Sequence, residues 1–308
     1  MPKPFQQSRF DELPELPRKP HVFFETEGRD LALESKVFAR MNAHVRVFGS
    51  GPPLYLVHGL MTSSYSWRYV FGELGKSYTC YAVDLPANGR SDAPQDAPYS
   101  AHNLGTFLAE VQAALAIRGC PVVANSMGGY LAMRWAMRDA SAMSALVNLH
   151  SPGIPLKRLW ALRAALAAPG VTQLLSRYIR HDPMRWVHKN VHYYDETLKS
   201  LEEARHYAEP LRGANGAAGL IKYLGETMSP LAMQDFLLAL PQHSPFPVPL
   251  LLLYARKDPM VPARVGEQLR AAIPSAEFHW LENASHFAHV DAPETFLAPT
   301  LDFLARHA

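Results

Sequence analysis

Ser126 stands where two patterns meet. Val122-Val123-Ala124-Asn125 before it reads as a strand, and Leu131, Arg134, Trp135 and Arg138 after it form a helical pattern. Small residues, Ala124 and Gly128, lie two positions to either side. A strand that turns sharply into a helix needs them, because the helix starts almost against the strand it leaves. Such a turn strains the serine backbone, lifts the hydroxyl clear of the sheet, and sets it at a helix N-terminus where N–H groups are unpaired. Serine is a poor nucleophile until a base takes its proton, and the base works best when a third group orients it. Two later segments offer those groups. The apolar run Leu250 to Tyr254 leads into Ala255-Arg256-Lys257-Asp258-Pro259, and the strand ending at Leu281 leads into Glu282-Asn283-Ala284-Ser285-His286. Asp258 and His286 thus follow the carboxyl ends of strands, as Ser126 does, and a parallel sheet brings all three to one edge. The strand between, ending Asn148-Leu149-His150-Ser151, offers no carboxylate to compete with Asp258.

The elements that must position these groups alternate along most of the chain. Val37 to Arg40 and Val45 to Phe48 read as edge strands split by Met41-Asn42-Ala43. Leu54-Tyr55-Leu56-Val57 is a continuous apolar run, expected of a strand buried on both faces of a parallel sheet. A helix around Trp67 to Leu74 and a strand Thr79 to Val83 come next. Leu104, Phe107, Leu108, Val111 and Leu115 then recur at helical spacing. Ala145 to Leu149 makes a further buried strand. From about Ser151 to Ser244 the pattern is helical only, broken by prolines, before strands Pro249 to Tyr254 and Glu277 to Leu281 and helices Ala263 to Ala272 and Pro293 to Arg306 complete the alternation. This predicts an α/β fold with a doubly wound, mostly parallel sheet. The expected division is an extended N-terminal arm over 1–20, a core over 21–151 and 246–308, and an inserted helical cap over 152–245. Ligands of such sheets bind at the carboxyl ends of the strands, where the cap would lie.

Composition sets bounds on function. The 308 residues are 48% apolar and 19% charged, as in an ordinary globule with a substantial core. Thirty basic against 28 acidic side chains give a net charge of +2, which offers no support for nucleic-acid binding. Cys80 and Cys120 lie in or beside apolar runs and read as buried thiols rather than a disulfide framework. No segment approaches the roughly 20 apolar residues of a membrane span, and the N-terminal stretch has no signal-like apolar run. A cytoplasmic location is the expectation; oligomeric state is not legible.

Five pieces in order carry a family resemblance: His58-Gly59-Leu60, Asp84-Leu85-Pro86-Ala87-Asn88-Gly89-Arg90-Ser91-Asp92, Asn125-Ser126-Met127-Gly128-Gly129, Asp258-Pro259-Met260-Val261-Pro262, and Ser285-His286-Phe287. The chain resembles a capped α/β-hydrolase over nearly its whole length past the arm. The resemblance implies Ser126 as nucleophile, His286 as base and Asp258 as orienting acid, with the N–H groups of Leu60 and Met127 as the oxyanion hole and no cofactor. It departs from the family pattern at Ala87, Ala124 and Ala255, where glycine is usual, and at Ser285. Haloalkane dehalogenases and epoxide hydrolases resemble the same scaffold but carry an aspartate at the nucleophile position. Ser126 therefore points to an acyl-enzyme, and to hydrolysis of a small apolar carboxylic ester.

Two other functions compete with the esterase reading. The Asn125 to Gly129 stretch is similar to carbon–carbon bond hydrolases of ring-cleavage dienoates, which usually carry tryptophan after the histidine where this chain has Phe287. That chemistry needs a cation near Ser126, and Arg163, Arg177 and Arg185 of the cap are candidates. A non-catalytic ligand receptor on a hydrolase scaffold commonly loses a triad member, and this chain keeps all three. Met61, Val261 and Phe287 flank the reactive groups and are expected to bind substrate, with Trp160 and Trp186 closing the site from above. His58 and Asp84 read as structural. His188 and His192 stand at i, i+4 without a third ligand in a recognised spacing, so no metal site is expected.

Overall fold

Alternation of burial along the strands sorts the apolar side chains onto two faces. In the computed structural model, which describes residues 4–307, the eight strands are β1 (Glu27–Ser35), β2 (Ala39–Phe48), β3 (Pro53–Val57), β4 (Thr79–Val83), β5 (Val122–Asn125), β6 (Leu146–Leu149), β7 (Leu250–Ala255) and β8 (Glu277–Leu281). They form one sheet in the order β1-β2-β4-β3-β5-β6-β7-β8. β2 pairs antiparallel with β1 and β4, and every other pairing is parallel. On β7, Leu250, Leu252 and Tyr254 enter one core while Leu251, Leu253 and Ala255 enter the other. This is why these strands read as unbroken apolar runs.

The helices are α1 (Phe71–Leu74), α2 (Ala101–Ala114), α3 (Met127–Arg138), α4 (Lys157–Ala167), α5 (Val171–His181), α6 (Pro183–Asn190), α7 (Leu201–Ala208), α8 (Ala214–Lys222), α9 (Pro230–Ala239), α10 (Ala263–Ala272), α11 (Ala288–Asp291) and α12 (Pro293–His307). Helices α4 to α9 all fall between β6 and β7, where the sequence pattern is purely helical. A buried ion pair joins this block to the loop after β3. Arg68, wholly buried, bonds Glu203 of α7, and the hydroxyl of Tyr193 donates to the same carboxylate (2.7 Å). The chain before β1 lies against the same block. Ser8 O faces His188 Nε2 at 3.0 Å, Pro14 O accepts from Leu201 N at 2.8 Å, and Glu15 pairs with Arg205. Among the described residues no helix is long and apolar enough to cross a membrane. Cys80 and Cys120 are free and buried, and burial pushes each thiol up to about 12.

The structure departs from the sequence pattern in three places. The two edge strands expected around Met41-Asn42-Ala43 are one strand, β2. Met41 and Ala43 point into the core and Asn42 points out, and the Asn42 backbone bonds Asp92 at 2.8 and 2.9 Å. Before it runs β1, unforeseen because an edge strand open to water keeps mostly polar residues, here Glu27, Arg29, Asp30 and Glu34. The single helix expected over 67–74 is a 3₁₀ turn, Ser64–Trp67, followed by the one turn of α1.

Candidate active site

Ser126, Asp258 and His286 each follow the end of a strand. Ser126 follows β5 with φ 54° and ψ −122°, a left-handed backbone that costs a residue with a side chain about 1–3 kcal/mol. Packing imposes it. Ser126 N donates to Leu149 O (2.8 Å), and Ser126 O accepts from Tyr130 N (3.1 Å) in the first turn of α3. A Cβ at Gly128 would lie 2.5 Å from His58 O, and one at Gly59 would lie 3.0 Å from Ser126 Cβ. Both glycines are therefore required by close approach of β3's end to the elbow. Ala124 meets no such obstacle and is buried in the core.

Asp258, in the loop after β7, takes three hydrogen bonds. Its Oδ1 accepts from Met260 N (2.6 Å) and Val261 N (2.8 Å), and its Oδ2 accepts from His286 Nδ1 (2.7 Å). Burial opposes its charge, but the adjacent His286 and the Val261 N–H outweigh that and hold the carboxyl below its usual range. The bond to Asp258 puts a proton on Nδ1 and leaves Nε2 of neutral His286 as the acceptor. Asn125, next to the serine, donates to His286 O (3.0 Å) and Leu149 O (3.3 Å), so the elbow also holds the histidine loop.

Ser126 and His286 line one cavity of about 340 Å³, with Leu60, Met61, Val261 and Phe287, and with Leu159 and Leu162 of α4. The lining is mostly apolar, and its one Lys or Arg is the exposed Arg158. Among the described residues the Ser126 hydroxyl makes no hydrogen bond, and the His286 ring is hydrogen-bonded to Asp258 alone. Met127 is wholly buried at the start of α3, and Asp258 stands behind His286 rather than in the cavity wall.

Trp160 and Trp186 are elsewhere, contrary to expectation. Trp160 lines a separate cleft of about 540 Å³ with Arg163 and Lys222, and Trp186 lines a third with Tyr178 and Arg185. The reason is helix phase. Leu159 and Leu162 turn one face of α4 to the cavity, and Trp160 sits about 100° further round. The proposed cations also lie apart: Arg163 in the separate cleft, Arg177 on the exposed side of α5, and Arg185 paired with Asp11 and Asp182.

The loop after β3 is braced by His58. Its Nδ1–H donates to Gly59 O (2.7 Å), and its Nε2 accepts from Leu85 N (2.9 Å). Asp84 accepts from Ser64 N (2.7 Å) and Arg90 N (2.9 Å), closing the tight turn. His150, at the end of β6, escaped notice in the sequence although its ring lies 5.6 Å from that of His286. Nothing in the local stretch Asn148-Leu149-His150-Ser151 marks that closeness.

Burial lowers the pKa of three fully buried histidines, His58, His150 (to about 3) and His289, so they stay neutral as pH falls. The unfolded chain instead protonates near the ordinary value of about 6.5. Stability is therefore present above that value and is lost as pH falls below it. Between pH 7 and pH 5 His150 alone accounts for a loss of about 2 kcal/mol, and His58 and His289 act in the same direction. Urea unfolding at the two pH values should show a drop of at least that size.

The sequence pattern of the alpha/beta hydrolase fold family matches residues 52–293, most of the chain. The chain belongs to that family. A pimeloyl-[acyl-carrier protein] methyl ester esterase of Aeromonas hydrophila is 27% identical to this alpha/beta hydrolase over 258 residues, covering 83% of the chain and 97% of the relative. Two solved structures share its fold. The haloalkane dehalogenase DatA of Agrobacterium tumefaciens superposes with a TM-score of 0.75 at 22% identity, over 94% of this chain and all of that one. A thermophilic esterase of Thermogutta terrifontis superposes with a TM-score of 0.67 at 18% identity, over 91% and 100%.

Proposed function

We propose that this hydrolase is a serine esterase acting on small apolar carboxylic esters, with residues 152–245 as a cap over the site. The observation that carries the reading is the Asp258–His286 hydrogen bond at a cavity into which Ser126 opens from a strained turn. Ser126 Oγ attacks the ester carbonyl as His286 Nε2 takes its proton, and Asp258 holds the imidazole in the tautomer that accepts it. Negative charge developing on the carbonyl oxygen is met by the N–H groups of Met127, at the start of α3, and Leu60. His286 then returns the proton to the departing alcohol. A water enters, gives its proton to His286 and attacks the acyl-enzyme, releasing the acid and restoring Ser126. The Aeromonas relative, named as a methyl ester esterase, supports the ester as the bond cut.

The carbon–carbon alternative calls for a buried cation beside Ser126. Arg158 is the cation on the cavity wall, and it is exposed, so the observations favour the ester. An apolar pocket gains about 0.8 kcal/mol per buried methylene, or about a fourfold rise in kcat/KM for each carbon added to the acyl chain. A series of p-nitrophenyl esters from acetate upward is expected to show that rise until the cavity is filled, then a plateau or fall. Turnover of a ring-cleavage dienoate far faster than any ester would overturn the reading.

A further inference from the structure

The end of β6 places a second imidazole against the proposed acid and base. His150 is fully buried and adopts φ 53°, a left-handed backbone unfavourable to a histidine. Its Nε2 accepts the N–H of Ala255 (2.5 Å), three residues before Asp258, so the neutral ring carries its proton on Nδ1. That Nδ1 makes no hydrogen bond of good geometry among the described residues, although the His286 backbone lies close to the ring. The His150 ring is inclined 38° to the His286 ring at 5.6 Å. A ring nitrogen of His150, a carboxylate oxygen of Asp258 and a ring nitrogen of His286 all lie within 4.8 Å of one another. An acceptor for Ala255 alone would need neither the strained backbone nor a ring packed on His286. The fold tolerates two unfavourable features here, a left-handed histidine and a poorly paired buried N–H, and both bring the imidazole to this pair.

We propose that His150 is a positioning residue for the base: its Nδ1–H supports the negative charge on Asp258 and sets the His286 ring, and it exchanges no proton itself. The inference rests on the assignment of Ser126, His286 and Asp258 above. Burial keeps His150 neutral, which matters because a second cation would oppose the imidazolium that forms on His286 during attack. The other groups facing this pair are neutral His289 from α11, Tyr254 of β7 beside Asp258, and Arg158 of α4 on the wall of the same cavity.

Two substitutions separate the two nitrogens of the ring. His150→Gln keeps an acceptor within reach of Ala255 and removes the Nδ1–H. His150→Asn keeps an N–H near the pair and removes the acceptor. For His150→Gln, kcat is expected to fall about 10- to 100-fold with KM nearly unchanged and the thermal midpoint close to that of the wild type. The acid limb of its kcat/KM profile should move to higher pH, because Asp258 without that N–H holds the His286 proton more tightly. His150→Asn should lose stability, with the acid limb of its kcat/KM profile left at the wild-type pH. Wild-type kcat and pH profile in His150→Gln would overturn the proposal. So would parallel losses of kcat and stability in both variants. The low-field proton resonance of His286 Nδ1–H, followed by NMR in a Ser126→Ala background, needs no turnover. It should shift on His150→Gln and stay in place on His150→Asn. If the wild type cleaves no ester, the esterase reading fails while this resonance still decides the role of His150.

Discussion

Replacing Ser126 by alanine should lower kcat for ester hydrolysis by about 10⁴ to 10⁶, with KM changed little, and His286→Ala should do the same. The two losses should not add, because nucleophile and base act as one unit. Neither effect should arise from unfolding. Alanine keeps the left-handed backbone at position 126 and its hydrogen bonds to Leu149 and Tyr130. Ser126→Gly makes the point more sharply. Glycine adopts φ 54° without strain, so this variant should be more stable than the wild type by about 1 kcal/mol while being equally inactive. Steady-state kinetics on a p-nitrophenyl ester, with thermal melts of the same preparations, check both statements. A Ser126→Gly protein that is less stable than the wild type would mean the elbow is not strained.

Asp258→Asn should lower kcat by about 10³ to 10⁴ with the fold intact. The reason lies in the hydrogen bonds that this side chain already makes. Met260 N and Val261 N both donate to Oδ1, at 2.6 and 2.8 Å, so an asparagine must put its carbonyl oxygen there. Its NH₂ group then faces His286 Nδ1, where Oδ2 now accepts at 2.7 Å. A donor at that place favours the tautomer with the proton on Nε2, the nitrogen that must accept from Ser126. Rate at saturating ester measures the loss, and near-normal activity would send the search for the orienting acid to another carboxylate.

The parts of the fold that were legible in the sequence are those whose burial leaves a one-dimensional mark. Strands β3, β5, β6 and β7 are wholly or almost wholly buried and appear as apolar runs, and Ser126, Asp258 and His286 lie within a few residues of three strand ends. β1 left no such mark because it is an edge strand of mostly polar residues, with Leu33 as its one apolar side chain fully in the core. The aromatic residues of α4 and α6 were misplaced for a different reason. Helix α4 buries no residue fully, so its sequence does not say which side turns inward. Leu159 and Leu162 face the cavity while Trp160 lines the separate cleft, and only the packing of the helix decides between those phases. His150 carries no local mark because its importance is spatial. Its φ of 53° and the 5.6 Å between its ring and that of His286 exist only once β6 lies in the sheet beside β7. The bonds between residues 5–15 and residues 185–205 join segments about 180 positions apart, and nothing local in either stretch announces them.

The central claim is that Ser126 is a nucleophile activated by His286, and covalent labelling of the native protein with a fluorophosphonate tests it most directly. Mass spectrometry of the treated wild type is expected to show one phosphonyl adduct on the peptide that carries Ser126. Ser126→Ala should take up none, and His286→Ala should label far more slowly. An unlabelled wild type, or an adduct on a different serine, would contradict the account.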